Sequence, residues 1–407
     1  MNRPVPVTLS ICCRKIDLTP QQPTTAVLHR PIFYASLGFT FLAFGLPIYS
    51  KSLGASALAI GGLYSVFTLT TVVIRPFVGQ ALDRYGRKPF LLAGFMGYTL
   101  AMITFALADS LNGLYLARIF QGLASALLWL AVSTIVADLS PVDDRGRLMG
   151  RIGETSARAE IAGMFIAFAL LSLLPEEMTW IAIFAVFAVM TAVAAFLAQR
   201  NVPETRPPVM VSSENEKPIP RQLLKLMVIV FTTGISSAMI APIYLIYLQD
   251  KFTTDVETLA WAFLPAGLVY SLLPSRLGRL SDRWGRAPLM AVGVAGAGLL
   301  SLALPNLPGL GWLVGLYTLT AVGWAMADPA ESAMVADLAG TDKRGRAYGL
   351  TTFANSLGAT IGPLLGGWLY DSVGQGTPFY INGVVLLASA AWIILILPSN
   401  RRSFQSA

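Results

Sequence analysis

GQALDRYGRKP, residues 79–89, and GRLSDRWGRAP, residues 278–288, lie 199 residues apart and agree at six of their eleven positions. A second pair of segments, VADLSPVDDRGRLMG at 136–150 and VADLAGTDKRGRAYG at 335–349, keeps the same offset and agrees at nine of fifteen positions. Because both pairs share one offset with no gap, the sequence predicts that the two halves of this chain are structural copies.

The composition places both copies in a membrane. The chain has 407 residues, of which 55% are hydrophobic and only 13% are charged, too few to give soluble domains a polar surface. Apolar stretches of about 20 residues, enough for a helix to cross a bilayer, follow one another along the sequence. Twelve spans are predicted, at 32–52, 57–81, 89–108, 112–138, 148–173, 178–199, 222–248, 257–280, 288–305, 308–337, 347–370 and 376–398.

The predicted fold is therefore an all-α integral membrane protein of two six-helix repeats. Its predicted parts are an arm at 1–30, a bundle at 31–199, a linker at 200–221, a second bundle at 222–398 and a tail at 399–407. Because each half has an even number of spans, both halves enter the membrane in the same direction, related by an axis along the membrane normal.

Basic residues predict the orientation. The side that holds both termini carries 24 of the 29 Lys and Arg residues, so the positive-inside rule puts both termini in the cytoplasm. We expect an inner-membrane, multi-pass, monomeric protein whose net charge of +7 faces lipid headgroups rather than nucleic acid. No paired nucleophile and base, phosphate-binding loop or metal cluster stands out in the sequence. We therefore expect no bound cofactor or metal and no direct use of ATP, and we do not expect an enzyme.

Three motifs carry a family resemblance. The pattern G-x-x-x-D-R-x-G-R after span 2, its copy after span 8, and R-x-x-Q-G at Arg118, Gln121 and Gly122 in span 4 resemble signature motifs of the major facilitator superfamily. The resemblance covers residues 30 to 400. It implies transport by alternating access, gating by the duplicated loops, and proton coupling at Arg118.

The duplicated segments are predicted to form cytoplasmic gates. Gly86 suits the tight turn, and Asp83 is expected to pair with Arg145 or Arg147. The alternative is that the loops only anchor the topology. The predicted gate residues are Gly79, Asp83, Arg84, Gly86, Arg87, Asp138, Arg145, Asp282, Arg283, Arg286, Asp337 and Arg344.

Charged residues that occur within the spans of one half only are candidates for proton coupling. Arg118 is replaced by Tyr317 in the second half, although it could instead cap helix carbonyls. Glu160 lies about 18 Å inside span 5, where a carboxyl is a candidate proton carrier. It could alternatively form a static bridge to Arg118 or to Arg158, which can also pair with Glu154.

Span 10 supplies a further candidate, Asp328, next to Pro329. Its neighbour Glu331 is expected to be solvated near the cytoplasmic interface. Span 11 contains GATIGPLLGG at 358–367, which resembles the glycine motif that antiporters of the family carry in span 5, whereas span 5 keeps only Gly163. That departure weighs against export by proton exchange, and helix packing is the expected role of these glycines.

Aromatic residues on spans 1, 4, 7 and 10 favour a cavity for an amphipathic organic molecule. The predicted cavity residues are Phe44, Tyr49, Gln121, Trp129, Tyr244 and Trp324. The predicted function is proton-coupled efflux of a small amphipathic molecule. The alternatives are a facilitator or importer of sugars or organic acids, and a non-transporting sensor on the same scaffold.

Overall fold

The computed structural model describes residues 25–140, 145–206, 220–274, 284–339 and 344–396, together with positions 277 and 280. These residues are helical and contain no β-strand. The bounded α-helices are α1 Ala26–Ser36, α2 Phe39–Ser52, α3 Ala57–Tyr85, α4 Lys88–Leu107, α5 Leu111–Leu139, α6 Arg145–Leu173, α7 Glu176–Asn201, α8 Arg221–Lys251, α9 Val256–Leu272, α10 Arg286–Ala303, α11 Leu310–Ala339, α12 Arg344–Ser372 and α13 Thr377–Ile396.

The predicted pattern of spans is confirmed. Within the described residues, ten helical stretches are long and apolar enough to cross a membrane, with α1 and α2 counted together as one of them. The shorter α9 and the more polar α12 supply the other two. Because the helices alternate in direction, the α2–α3 turn lies on the side opposite the termini. We call that side the outer side, and the other the termini side.

The first span begins earlier than predicted and is interrupted. It starts at Ala26, and its helix breaks between Ser36 and Phe39. At the break, α6 approaches so closely that a Cβ on Gly163 would lie 1.7 Å from the carbonyl oxygen of Leu37. Only glycine fits there, which gives a packing reason for Gly163, the one glycine of the motif that span 5 retains.

The two halves meet near the outer side along a seam between α3 and α12. A Cβ on Gly61 would lie 2.1 Å from the carbonyl oxygen of Pro363, and one on Gly367 would lie 2.4 Å from that of Ala57. The other glycines of the span 11 motif also pack closely: Gly358, Gly362 and Gly366 face the backbone of α8. This is the close helix packing that the sequence predicted for them.

Towards the termini side the halves separate. Gln80 on α3 and Thr352 on α12 are both exposed, although each lies on a helix of the same seam. The buried apolar residues follow this division, because one core runs through the first half and the outer part of the second. A separate core fills the termini-side part of the second half. Among the residues that the structure describes, the two halves are therefore closed against each other on the outer side and open on the termini side.

Candidate functional site

The two duplicated turns adopt the same backbone conformation. Gly86 has φ +98° and Gly285, its counterpart 199 residues later, has φ +93°. Such positive φ values favour glycine, so the predicted role of Gly86 in the turn agrees with its geometry. Each glycine is followed by an arginine, Arg87 or Arg286, at the start of the next helix.

Each of these arginines forms an ion pair within its own half. The Nε atom of Arg87 lies 3.0 Å from a carboxylate oxygen of Asp138, at the end of α5. Its counterpart Arg286 pairs with Asp337, at the end of α11. Because 87 and 138 become 286 and 337 at the same offset, the duplication extends to the ion pairs. Each pair fastens the turn between the second and third spans of a half to the end of its fourth span.

The partner expected for Asp83 is different in the structure. Asp83 pairs with Arg87, one helical turn away, at 3.3 Å, and its side chain is about half exposed. The carboxylate is therefore screened by water and needs no partner from another loop. The side chains of Arg145 and Arg344, and the residues Asp282 and Arg283, lie outside the described part of the structure.

The remaining gate residues lie at the surface. Gly79 is half-buried, and Arg84 is exposed, with its guanidinium 5.3 Å from the centre of the Tyr85 ring. The described ion pairs of both gates thus stay within one half each. They stabilise the two turns while the termini side is open.

The sequence reading missed Glu204, which it assigned to the linker. The Glu204 carboxylate accepts hydrogen bonds from the backbone N–H groups of Arg87 at 2.7 Å and of Lys88 at 3.0 Å. It thereby binds the first N–H groups of α4, where a negative charge stabilises the helix dipole. Thr205 adds a hydrogen bond from its hydroxyl to Asp138. The signal for this role in the sequence is an acidic residue three positions after the last residue of α7.

The pKa of Glu204 reflects these contacts. Partial burial acts to raise the pKa of Glu204, but the backbone N–H groups of Arg87, Lys88, Arg206 and Thr205 outweigh it and lower that pKa below its usual value. The carboxylate is therefore held in its charged form where the linker leaves the first half.

Arg118, a residue of α5, is buried against α3. It donates a hydrogen bond of 2.8 Å to Oε1 of Gln121, and its guanidinium carbon lies 4.7 Å from the Tyr64 ring centre and 5.4 Å from that of Phe67. Its Nε atom has no hydrogen-bond partner. Within the described residues its contacts are thus an amide and two ring faces, neither a carboxylate nor a helix carbonyl.

Glu160 lies beside the break in the first span. Its carboxylate accepts hydrogen bonds from the hydroxyls of Thr40 on α2, at 2.7 Å, and Ser156 on α6, at 3.0 Å. The Ser156 hydroxyl also lies 2.9 Å from that of Ser36 on α1. One carboxylate and three hydroxyls therefore connect α6 to both pieces of the first span.

The static bridge considered for Glu160 is not formed among the described residues. Arg158 instead contacts Glu154 at 3.5 Å, in a pair whose side chains are 75% and 66% exposed. Arg118 is occupied by Gln121. A charged pair this exposed is costly against hydrocarbon, so this face of α6 meets water or lipid headgroups.

On α11, Asp328 and Glu331 are both half-buried and lie one turn apart. The helix continues through Pro329, from Leu310 to Ala339. Trp324, one turn before Asp328, packs against the termini-side core of the second half.

Two of the predicted cavity residues meet at the interface of the halves. Phe44 and Tyr244 both contact Phe263 on α9. The centre of the Phe263 ring lies 5.9 Å from that of Phe44 and 5.8 Å from that of Tyr244. Tyr244 also stacks on Tyr317 at 3.6 Å, and its buried hydroxyl has no hydrogen-bond partner in the described part of the chain. This aromatic cluster lies at the outer end of the cleft.

The other cavity candidates lie within the first half. Tyr49 packs on Trp180, with ring centres 4.6 Å apart, and donates a hydrogen bond to the carbonyl of Ala108. Trp129 is half-buried and lies 6.1 Å from Phe39, ring centre to ring centre. The structure therefore brings Phe44 and Tyr244 together across the halves, Gln121 to Arg118, and places Tyr49 against α7.

Comparison with known proteins supports a transport role for this architecture. The chain is 23% identical over 378 residues to multidrug resistance protein 1 of Bacillus subtilis (strain 168), covering 91% of this chain and 95% of that protein. It is 27% identical over 363 residues to the class G tetracycline resistance protein of Vibrio anguillarum, covering 85% and 88%.

Solved structures show the same fold. The human organic anion transporter MFSD10 superposes with a TM-score of 0.69 at 18% identity, covering 91% of this chain and 98% of that one. A POT family transporter in complex with a thioalcohol-conjugated peptide gives a TM-score of 0.75 at 16% identity, covering 91% and 95%. The family model of the Major Facilitator Superfamily matches residues 32–227 and again 226–406. Two consecutive matches to one family model repeat the duplication read from the sequence, and this chain belongs to the Major Facilitator Superfamily of membrane transporters.

Proposed function

We propose that this transporter exports a small amphipathic organic molecule in exchange for protons, with Glu160 as the proton carrier. The observation that carries the proposal is the environment of Glu160. Its carboxylate lies about 22 Å along α6 from Arg145 and is held by hydroxyl groups rather than by a cation. A carboxylate bonded only to neutral donors can gain a proton without leaving a buried cation unpaired.

Protonation of Glu160 would change the contacts that hold the first span. The charged carboxylate accepts from Thr40 and Ser156, whereas a protonated one must donate from one oxygen, so one of the two hydroxyls has to turn. Because Thr40 is on α2 and Ser156 on α6, proton uptake alters the link between α6 and the first span. This gives the proton a direct mechanical effect on two helices that border the cleft.

The names of the relatives support export. Several are multidrug, tetracycline or quinolone resistance proteins, which suits a cleft that ends in the aromatic cluster of Phe44, Tyr244, Phe263 and Tyr317. With the termini in the cytoplasm, as the basic residues indicate, the open cleft would load substrate from inside the cell.

The test uses purified protein in proteoliposomes with an imposed pH gradient and a panel of amphipathic compounds. We expect the wild-type chain to move at least one compound against its gradient and Glu160→Gln to lose gradient-driven transport while keeping substrate exchange. Glu154→Gln, which removes an exposed carboxylate one and a half turns away on the same helix, serves as the matched control and should keep both. If Glu160→Gln keeps gradient-driven transport and Asp328→Asn loses it, the proton site is on α11 and our assignment is wrong. Transport insensitive to the pH gradient would instead identify a facilitator.

A further inference from the structure

Two oppositely charged residues meet where the halves join on the outer side. Lys51, in the last turn of α2, forms an ion pair with Asp250, in the last turn of α8. Their positions differ by 199, so they are equivalent residues of the two repeats. Residues related by a two-fold axis can touch each other only close to that axis. The pair therefore marks where the pseudo-two-fold axis leaves the outer side.

Two neighbouring residues of α12 reinforce this contact. Asp250 also accepts a hydrogen bond of 2.7 Å from the hydroxyl of Tyr370. The next residue, Asp371, accepts hydrogen bonds from the backbone N–H groups of Ala57 at 3.2 Å and Leu58 at 2.8 Å. These groups form the N-terminus of α3 in the other half, where the helix dipole favours a carboxylate.

The reinforcement exists on one flank only. By the same offset, Tyr370 and Asp371 correspond to Leu171 and Ser172 in the first half, which cannot supply a carboxylate. The equivalent helix start in the second half, at α9, is capped from within that half, since Asp255 accepts a hydrogen bond of 2.9 Å from the N–H of Thr258. The polar contact between the halves at Asp371 therefore has no counterpart at the equivalent positions of the first half.

We propose that Lys51, Asp250 and Asp371 form an outer lock, which holds the outer side closed and sets how much of the protein is open to the termini side. Each of the three residues bonds to a residue of the other half, so these interactions exist only while the outer ends of the halves touch. Opening the outer side breaks them all together. The outer lock does not depend on the coupling ion or the substrate, and so stands apart from the role proposed for Glu160.

The equivalence of the two charged positions provides a sharp test. Lys51→Asp sets two carboxylates against each other on the axis, and Asp250→Lys sets two ammonium groups there. The swapped double variant, Lys51→Asp with Asp250→Lys, restores opposite charges at equivalent positions. It cannot restore the hydrogen bond from Tyr370, so recovery of most, but not all, of the wild-type state is expected.

Conformation is read from distances between spin labels in the full-length protein, reconstituted in lipid, after Cys12 and Cys13 are changed to Ser. The outer pair is Asn112→Cys with Gly311→Cys, two exposed equivalent positions at the starts of α5 and α11. Gly311 has nothing within 4 Å of an added Cβ, so the label is accommodated. The termini-side pair is Tyr85→Cys with Trp284→Cys, equivalent residues that are 62% and 57% exposed.

Molecules with the outer side open should show a longer outer distance and a shorter termini-side distance. We expect each single charge reversal to increase the fraction of such molecules at least several-fold over the wild type. The double variant should recover more than half of that shift, which also shows that the single variants are folded. Asp371→Asn should shift the distances in the same direction by a smaller amount. Asp255→Asn, an outer-side cap that stays within one half, should leave both distances unchanged.

Two results would overturn the outer lock. One is that the single reversals leave both distance distributions as in the wild type. The other is that the swapped variant shifts as far as either single variant, because the charges would then not act on each other. Neither result bears on Glu160, and loss of gradient-driven transport in Glu160→Gln with an intact response to charge reversal would separate the two proposals.

Discussion

The ion pairs Arg87–Asp138 and Arg286–Asp337 are equivalent in the two halves but differ in burial, so the same substitution can be compared in both. Arg87 is 4% exposed and contacts Asp138 at 3.0 Å, Asp83 at 3.3 Å and the carbonyl of Leu82 at 3.0 Å. In the other half the side chains of Arg286 and Asp337 are 30% and 40% exposed. We therefore expect Arg87→Lys to destabilise the protein more than Arg286→Lys.

The magnitudes follow from the contacts. A lysine at position 87 keeps the charge, but its single nitrogen loses at least one of the three directed bonds, and because a bond to a charged group contributes about 1.5–3 kcal/mol, a loss of roughly 2–3 kcal/mol is expected. Arg286 also donates to the carbonyl of Ala333, but water reaches the half-exposed pair with Asp337 and can replace that bond, so about 1 kcal/mol or less is expected. At about 2–4 °C per kcal/mol, Arg87→Lys should lower the apparent Tm by roughly 4–12 °C, and Arg286→Lys by about 4 °C or less.

Thermal unfolding in detergent, followed by circular dichroism at 222 nm, measures these shifts. Arg84→Lys is the matched control, since Arg84 is exposed and, within the described residues, its side chain contacts the ring of its neighbour Tyr85. It should leave the apparent Tm unchanged within about 1 °C. Equal losses for Arg87→Lys and Arg286→Lys, or a larger loss for Arg286→Lys, would refute the argument from burial.

Three further substitutions test other contacts. Glu204→Gln should lower the apparent Tm at neutral pH. Because the pKa of Glu204 is lowered in the folded state, its contribution to the free energy of unfolding is present above the ordinary pKa and is lost as the pH falls through the lowered pKa. The melting curves of the variant and the wild type should therefore converge in acid. Gly86→Ala should cost more than about 1 kcal/mol, since φ is +98° and the new Cβ would lie 2.6 Å from Oε2 of Glu204, whereas Gly296→Ala, with nothing within 4 Å, should not destabilise in the same melting assay. Gly61→Ala should force the outer seam apart, since its Cβ would lie 2.1 Å from the carbonyl oxygen of Pro363, and unchanged outer spin-label distances would contradict this.

The features that were predicted correctly follow from the order of residues along the chain and do not require knowledge of which helices touch. Span number and the two-copy arrangement follow from hydropathy and from a constant offset, and Gly86 follows from the local demand of a tight turn. Span number and the turn at Gly86 are set by residues close together in the sequence, and the duplication is found by comparing segments at one offset. The break after Ser36 was missed because it depends on the approach of α6, which hydropathy does not encode.

Pairings between helices were harder to predict. Asp83, expected to pair with Arg145 or Arg147, pairs with Arg87 of its own turn, and Arg87 also reaches Asp138, because the rotation of α5 decides which of its faces meets the turn. Glu204 was hidden in a segment without periodicity. The contact of Lys51 with Asp250 was nevertheless within reach of the sequence, since the two residues obey the same offset as the duplicated motifs and carry opposite charge.

The position of Lys51 and Asp250 on the axis also bears on how such a protein can arise. In a dimer of two identical six-helix chains, every residue on the axis faces its own copy, so a lysine would meet a lysine and an aspartate an aspartate. Complementary charges at one point on the axis become possible only after the two copies are encoded separately and can diverge. The attraction between Lys51 and Asp250 is therefore a contact that divergence of the copies made available and that no symmetric homodimer could have had.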